Sequence, residues 1–135
     1  MAAGMGQIRR AVMDRLGQIP DVTPYAFVPD AVETPAVFIE PAASFVDYTQ
    51  GYGRPNWKFV ITVLVNRIDE DTAQDALDDY IDPDGPIVAI LARTDIDDSL
   101  NAVASIEPLS AGRYGSYRVG NTTYLGAQIS ISAQI

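Results

Sequence analysis

Two spacings of apolar residues alternate along the chain. In residues 6 to 18, Ile8, Val12 and Leu16, with Ile19 just beyond, form one stripe, while Arg9, Arg10, Asp14 and Arg15 fall elsewhere. That spacing predicts an amphipathic helix closing near Gly17 and Pro20. Its apolar stripe needs a sheet to cover. "VTPYAFVPD" (22–30) and "TPAVFIEPAASFVDY" (34–48) then predict short strands punctuated by prolines, which cannot donate to a ladder and mark edges or bends. "YTQGYGRPN" (48–56), rich in Gly, Pro and Tyr, predicts a long turn.

The clearest strand follows. In "NWKFVITVLVNR", Trp57, Phe59, Ile61, Val63 and Val65 share one face, and Lys58, Val60, Thr62, Leu64 and Asn66 share the other. Because the second face is itself partly apolar, a central strand is expected. Near the C-terminus, "AVASIEPLS" (102–110) reads as a strand, "AGRYGSYRVGNTT" as turn-rich, and "YLGAQISISAQI" as a half-buried strand. In that last strand Leu125, Ala127, Ile129, Ile131, Ala133 and Ile135 alternate with Gly126 and polar residues.

Between these strands lies the acidic stretch "DALDDYIDPDG". Ala73, Ala76, Leu77, Tyr80 and Ile81 follow a helical stripe, which leaves Asp75, Asp78, Asp79 and Asp82 on a solvated face. Asp69 or Asp71 can accept orphan amide hydrogens at the helix start, and Asp82 before Pro83 marks its end. Pro86 suits the first turn of a second helix with Ile87, Ile90 and Leu91 inward. A calcium loop is the sharper alternative. With Gly85 at its sixth position, the first and twelfth positions are Tyr80 and Leu91, so both the entry and the closing ligands are missing. The expected fold is α+β: a single domain over residues 1–135 with a mainly antiparallel or mixed sheet, an N-terminal helix and a central helix pair packed on it.

Charge and composition narrow the chemistry. With 18 acidic residues against 9 basic ones, the formal charge is -9, which opposes phosphate-backbone binding. Lys58 is the single lysine, and Arg9-Arg10 is the one adjacent basic pair. The chain contains neither Cys nor His, so disulfides, thiolate nucleophiles and imidazole ligands or bases are excluded. No G-x-S-x-G elbow, phosphate loop or metal-ligand spacing is present. The expectation is a protein without catalytic residues, metal or cofactor. "FVITVLV" and "PIVAILA" are far shorter than the roughly 20 residues that span a bilayer, and "MAAGMGQIRR" has no apolar signal core, so no membrane partner is expected.

The order of elements, a Leu-Asp-x-Tyr helix ending followed by a glycine and a short helix (Leu77, Asp78, Tyr80, Gly85, Ile87 to Leu91), and a closing Tyr-Leu-Gly strand (Tyr124, Leu125, Gly126) resemble the tail terminator proteins of long-tailed bacteriophages. Pro24 to Pro29 and Pro35 are also similar to that group. The resemblance covers most of the chain. It implies a virion structural protein of the tail and neck, assembled in the host cytoplasm. Such proteins form a homo-oligomeric, hexameric ring that caps the major tail tube protein, ends polymerisation and meets a head-side connector or stopper protein. DNA would pass through the ring without specific binding, and an acidic bore would repel it. Another connector or completion protein of the neck, or a small monomeric binding domain without catalysis, remains open as an alternative.

Two regions hold more Tyr and Arg than simple turns require: Tyr48, Tyr52 and Arg54 in one, Arg113, Tyr114, Tyr117 and Arg118 in the other. These residue types are enriched at interface hot spots, so these seven are the candidate contacts with other subunits or partners. The alternative is that the rings cover the local core and the Arg stems lie along it.

Overall fold

The computed structural model describes residues 5–20, 22–26, 30–47, 56–66, 70–92 and 105–134. In chain order these form helix α1 (Met5–Leu16), strands β1 (Thr23–Tyr25), β2 (Ala36–Asp47) and β3 (Asn56–Val65), helices α2 (Glu70–Ile81) and α3 (Pro86–Ala92), and strands β4 (Ser105–Val119) and β5 (Thr122–Gln134). The described strands make one five-stranded sheet in the order β1-β2-β3-β5-β4. It is antiparallel except where β1 lies parallel to β2. The α+β architecture read from the sequence is therefore the one observed, with α1 and the α2–α3 pair over one face. No helix among the described residues is long and apolar enough to cross a membrane.

Strand β3 occupies the centre, as its two-sided apolar pattern predicts. Phe59, Ile61 and Val63 register with Pro41, Ile39 and Val37 on β2 and with Ile131, Ile129 and Ala127 on β5. Onto this surface α1 lays Ile8, Val12 and Leu16, α2 lays Ala73 and Leu77, and α3 lays Ile87 and Leu91, all buried in one cluster. Each large aliphatic side chain so buried contributes on the order of 1.5–3 kcal/mol. The half-buried Trp57 packs at the margin of that cluster.

The acidic segment is the helix and stop that its spacing predicts. Asp75, Asp78, Asp79 and Asp82 are exposed, while Ala73 and Leu77 are buried. Asp82 takes the last helical bond, from its amide to the Asp78 carbonyl at 3.0 Å, and its carboxylate accepts the Asp84 amide at 2.8 Å. Gly85 then closes the turn on the Asp82 carbonyl (2.8 Å), and its own carbonyl accepts the Ala89 amide (3.0 Å), so α3 starts with Pro86 in its first turn. A Cβ on the buried Gly85 would collide with the Asp79 carbonyl oxygen and lie 2.9 Å from that of Asp82.

Three sequence expectations change in detail, and others fall outside the described residues. Of the first proline-punctuated stretch, 22–30, Thr23–Tyr25 is strand, and residues 27–29 lie outside the described residues. The second is one strand of 12 residues and not several short ones, and its register jumps between Pro41 and Val46, in keeping with the bend that a proline marks. The expected long turn falls almost wholly on residues 48–55, outside the described residues, as do residues 102–104 of the expected 102–110 strand and the capping candidate Asp69. The turn-rich reading of 111–123 is overturned. Strand β4 continues to Val119 and returns through Gly120 and Asn121 alone, with positive φ (61°) at Gly120, as a two-residue hairpin turn of the II′ kind requires. Glycines that suggest a loop are absorbed here by a bulge, because pairing with β5 satisfies the backbone on both sides of it.

Arg15 is a further departure. The helical stripe leaves it on the polar side of α1, yet its residue is 1% exposed and its guanidinium donates toward the carbonyls of Ile90 (3.5 Å) and Leu91 (3.4 Å). Those carbonyls belong to the last turn of α3, where intrahelical donors run out among the described residues and where positive charge is favoured. Arg15 thus caps a helix that is 75 residues away in the chain.

Two stability outcomes follow from these packing constraints. Gly85→Ala is expected to lower unfolding free energy by about 1–3 kcal/mol in urea melts, because the added methyl meets fixed carbonyls. Arg15→Met keeps most of the buried volume but leaves the α3 carbonyls without their donor, and is expected to cost about 1–3 kcal/mol in the same measurement.

Candidate functional site

The other face of the sheet explains how the Tyr and Arg residues near the C-terminus are held. Phe38 of β2, Leu64 of β3 and Val119 of β4 are buried there as a second, smaller core, with Tyr25, Val32, Tyr117 and Tyr124 packed on it. The backbone opens the space for this at Gly126, where a Cβ would stand 2.7 Å from a Tyr117 ring carbon and 2.7 Å from a Leu64 methyl. Tyr117 therefore lies across β5 to reach β3. Towards the middle of this face the lining turns polar, with Gln128 donating to the Thr62 hydroxyl at 3.4 Å.

Strand β4 is an edge of the sheet and carries two irregularities in its pairing with β5. Pro108 pairs with Ile131 and Ser110 with Ser130, so Leu109 is an extra residue. Gly112 pairs with Gln128 and Gly115 with Gly126, so Arg113 and Tyr114 together face Ala127 alone. Such bulges re-aim side chains. Among the described residues, the two large apolar ones displayed to solvent sit on these bulges: Leu109 is 51% exposed and Tyr114 45%.

The second bulge is held by a specific bond. Arg113 adopts φ of 54°, a left-handed conformation that costs a non-glycine residue on the order of 1–2 kcal/mol. Its carbonyl accepts the Tyr117 hydroxyl at 2.6 Å. With the Tyr117 ring seated on the smaller core, that bond ties the bulge to the body of the sheet. Burial raises the Tyr117 phenol above its usual value; the Arg113 charge works against this and Glu40 adds to it. Arg118 is exposed and its Nε donates to the Gly120 carbonyl at 3.3 Å, which braces the hairpin turn.

Beside the first bulge is an apolar groove of about 190 Å³. Ile81 and Pro83 at the exit of α2, Val88 of α3, residues 108–111 of β4 and Ile129 of β5 line it. The exposed Asp82 and Asp84 stand on either side of Pro83. A second hollow, of about 390 Å³, lies between the start of β2, the end of β3 and α2, and is lined by Thr34, Pro35, Val65, Asn66, Thr72, Ala73 and Ala76. Among the described residues no group of three or more His, Cys, Asp or Glu is placed to hold a metal ion.

The structure thus brings four of the seven candidate contacts onto one edge strand: Arg113, Tyr114 and Arg118 exposed, Tyr117 half-buried as the anchor beneath them. Tyr48, Tyr52 and Arg54 lie outside the described residues. Sequence reasoning missed Leu109, because the slip that displays it shows only in the register with β5. Ile106 and Pro108 mark the helix-side face at even positions and Ala111 at an odd one, so the alternation slips by one residue between them, as a bulge demands.

Tyr117→Phe removes the bond to the Arg113 carbonyl and is expected to cost about 0.5–1.5 kcal/mol at neutral pH. The raised phenol pKa stabilises the fold fully below pH of about 10, and that contribution is lost as pH rises through the folded value, since the unfolded chain ionises first. Urea melts of the two proteins should accordingly converge as pH is taken above about 10. In comparisons with known proteins, no family model matches the chain and no curated protein matches it in sequence.

Proposed function

We propose that the chain is a structural assembly protein of a long-tailed phage, a tail terminator. Copies of it form a ring, hexameric by the resemblance, that caps the tail tube, ends its polymerisation and joins it to the head-side connector. The reading rests on the resemblance carried by Leu77, Asp78, Tyr80 and Gly85 and by Tyr124 to Gly126. The observation that supports it best is the long edge strand β4, which puts Leu109, Arg113 and Tyr114 in solvent at two bulges. A chain that works by contact with other subunits needs such a surface, and a head-to-tail contact that closes after a fixed rotation gives a ring.

Charge fits the same role. A net -9 per chain gives an assembly that repels the phosphate backbone, so DNA is conducted and not held. The protein is proposed to act in the virion neck, to need no cofactor and to catalyse nothing.

The test is assembly with the major tail tube protein. Added to polymerising tubes, the protein should arrest growth and appear as a terminal ring in negative-stain images. Tubes that grow to the same lengths with and without it would refute tail termination. A ring that binds the head-side connector but ignores the tube end would assign the chain to another connector of the neck.

A further inference from the structure

Edge strands invite unwanted pairing, and proteins blunt them with bulges, prolines and charged side chains. Strand β4 has all of these, in Glu107, Pro108, Arg113 and Arg118. Protection alone does not account for what the bulges display. A protective bulge aims charge at solvent, as the second does with Arg113, but these two also put Leu109 and Tyr114 there, at 51% and 45% exposure. Leu109 also forms a wall of the apolar groove, whose rim at Pro83 is flanked by the exposed Asp82 and Asp84. Tyr114 follows Arg113 on a bulge that the Tyr117 hydroxyl holds in place.

The two places are complementary. One is an apolar hollow whose wall at Pro83 has exposed acids, Asp82 and Asp84, as its chain neighbours, and the other an exposed aromatic ring next to a cation. We infer that the Arg113–Tyr114 bulge of one copy docks into the groove of a second copy, with the Tyr114 ring against Leu109 and Val88, and Arg113 facing Asp82 and Asp84. Because bulge and groove are different places on one chain, a copy that gives its Tyr114 to one neighbour keeps its groove for the next. This joint deepens the ring reading above and rests on it for the closure of the chain of contacts, but not for the contact itself. An aromatic residue seated in a desolvated pocket is the kind of contact that carries much of an interface's energy. The charge pair at its rim sets partner choice and orientation more than strength.

The test is self-association of the purified full-length protein, followed by sedimentation velocity across a range of concentrations. The wild type should associate beyond the dimer. Tyr114→Ala and Leu109→Asp, each at an exposed site, should weaken association by about tenfold or more, read on proteins whose thermal melts show them folded at the temperature of the measurement. Arg113→Asp and Asp84→Arg should each weaken it, and the chain carrying both should recover, since the pair is restored with its charges exchanged. A mixture of the Tyr114→Ala and Leu109→Asp proteins should form a dimer, as each supplies the half the other lacks. A wild type that stays monomeric overturns the joint, as do folded variants that associate like the wild type or a double charge exchange without recovery. The two readings fail separately. Tubes capped normally by Tyr114→Ala protein would sink this joint and leave tail termination standing, and rings that form through it without limiting tube length would do the reverse.

Discussion

Strand β3 is hydrogen-bonded on both sides, to β2 and to β5, with all ten of its residues in register with β5, and the rest of the molecule follows from having to bury it. A strand so placed cannot turn either face to water without exposing Phe59, Ile61 and Val63 on one side or Leu64 on the other. The helices answer the first demand. Helix α1 comes from before the sheet and α2–α3 from the crossover between β3 and β4, and together they cover the odd-numbered face. The second demand is met without a helix. Tyr117 reaches back from the edge strand over Gly126 to Leu64, and Phe38 and Val119 complete the seal. Arg15 joins the covering helices to one another by supplying α3 with the donors its last turn lacks.

This second seal connects the core to the displayed edge. The Tyr117 ring is fixed by packing, so its hydroxyl is fixed, and the Arg113 carbonyl that accepts it is fixed in turn. A residue at φ of 54° persists where its surroundings over-determine it, and here the surroundings are a hydrogen bond, a ladder on both sides of the bulge and the glycines Gly112 and Gly115 at its ends. Tyr114 is thus presented from a stiff base and not from a mobile loop. Side chains held in this way lose less conformational entropy on binding, which favours contact over mere exposure.

The fold was largely legible in the sequence because its strongest signals were about burial. Alternation over 57–66 and 124–135 placed two strands and the face each buries, and the stripe through Ala73, Leu77 and Tyr80 outweighed the acids around it. What escaped was set by partners distant in the chain. Nothing near Arg15 announces that α3 ends above it, and no local pattern says that 111–119 pairs with β5 instead of turning. Composition misled there for a physical reason. Glycine, serine and tyrosine suit both turns and bulged edge strands, and only the neighbour across the ladder decides between them. The candidate contacts were legible as residue types, while their division into a buried anchor, Tyr117, and an exposed tip, Tyr114, required the register.

The distribution of charge carries the same logic one step further. Six exposed acids, Asp71, Asp75, Asp78, Asp79, Asp82 and Asp84, stand on α2 and its exit, and α2 itself holds no basic residue, whereas the outer strand carries Arg113 and Arg118 against the single acid Glu107. Within a single chain this separation gains nothing, because opposite charges kept apart across a surface are screened within a Debye length of about 8–10 Å. Between chains it has a consequence. Two like surfaces that meet suffer repulsion, acid against acid, while the acidic exit of one copy and the cationic edge of another attract. A surface so divided disfavours face-to-face association of identical patches and favours contacts between different ones, which is the arrangement that a closed ring requires and a two-fold pair does not.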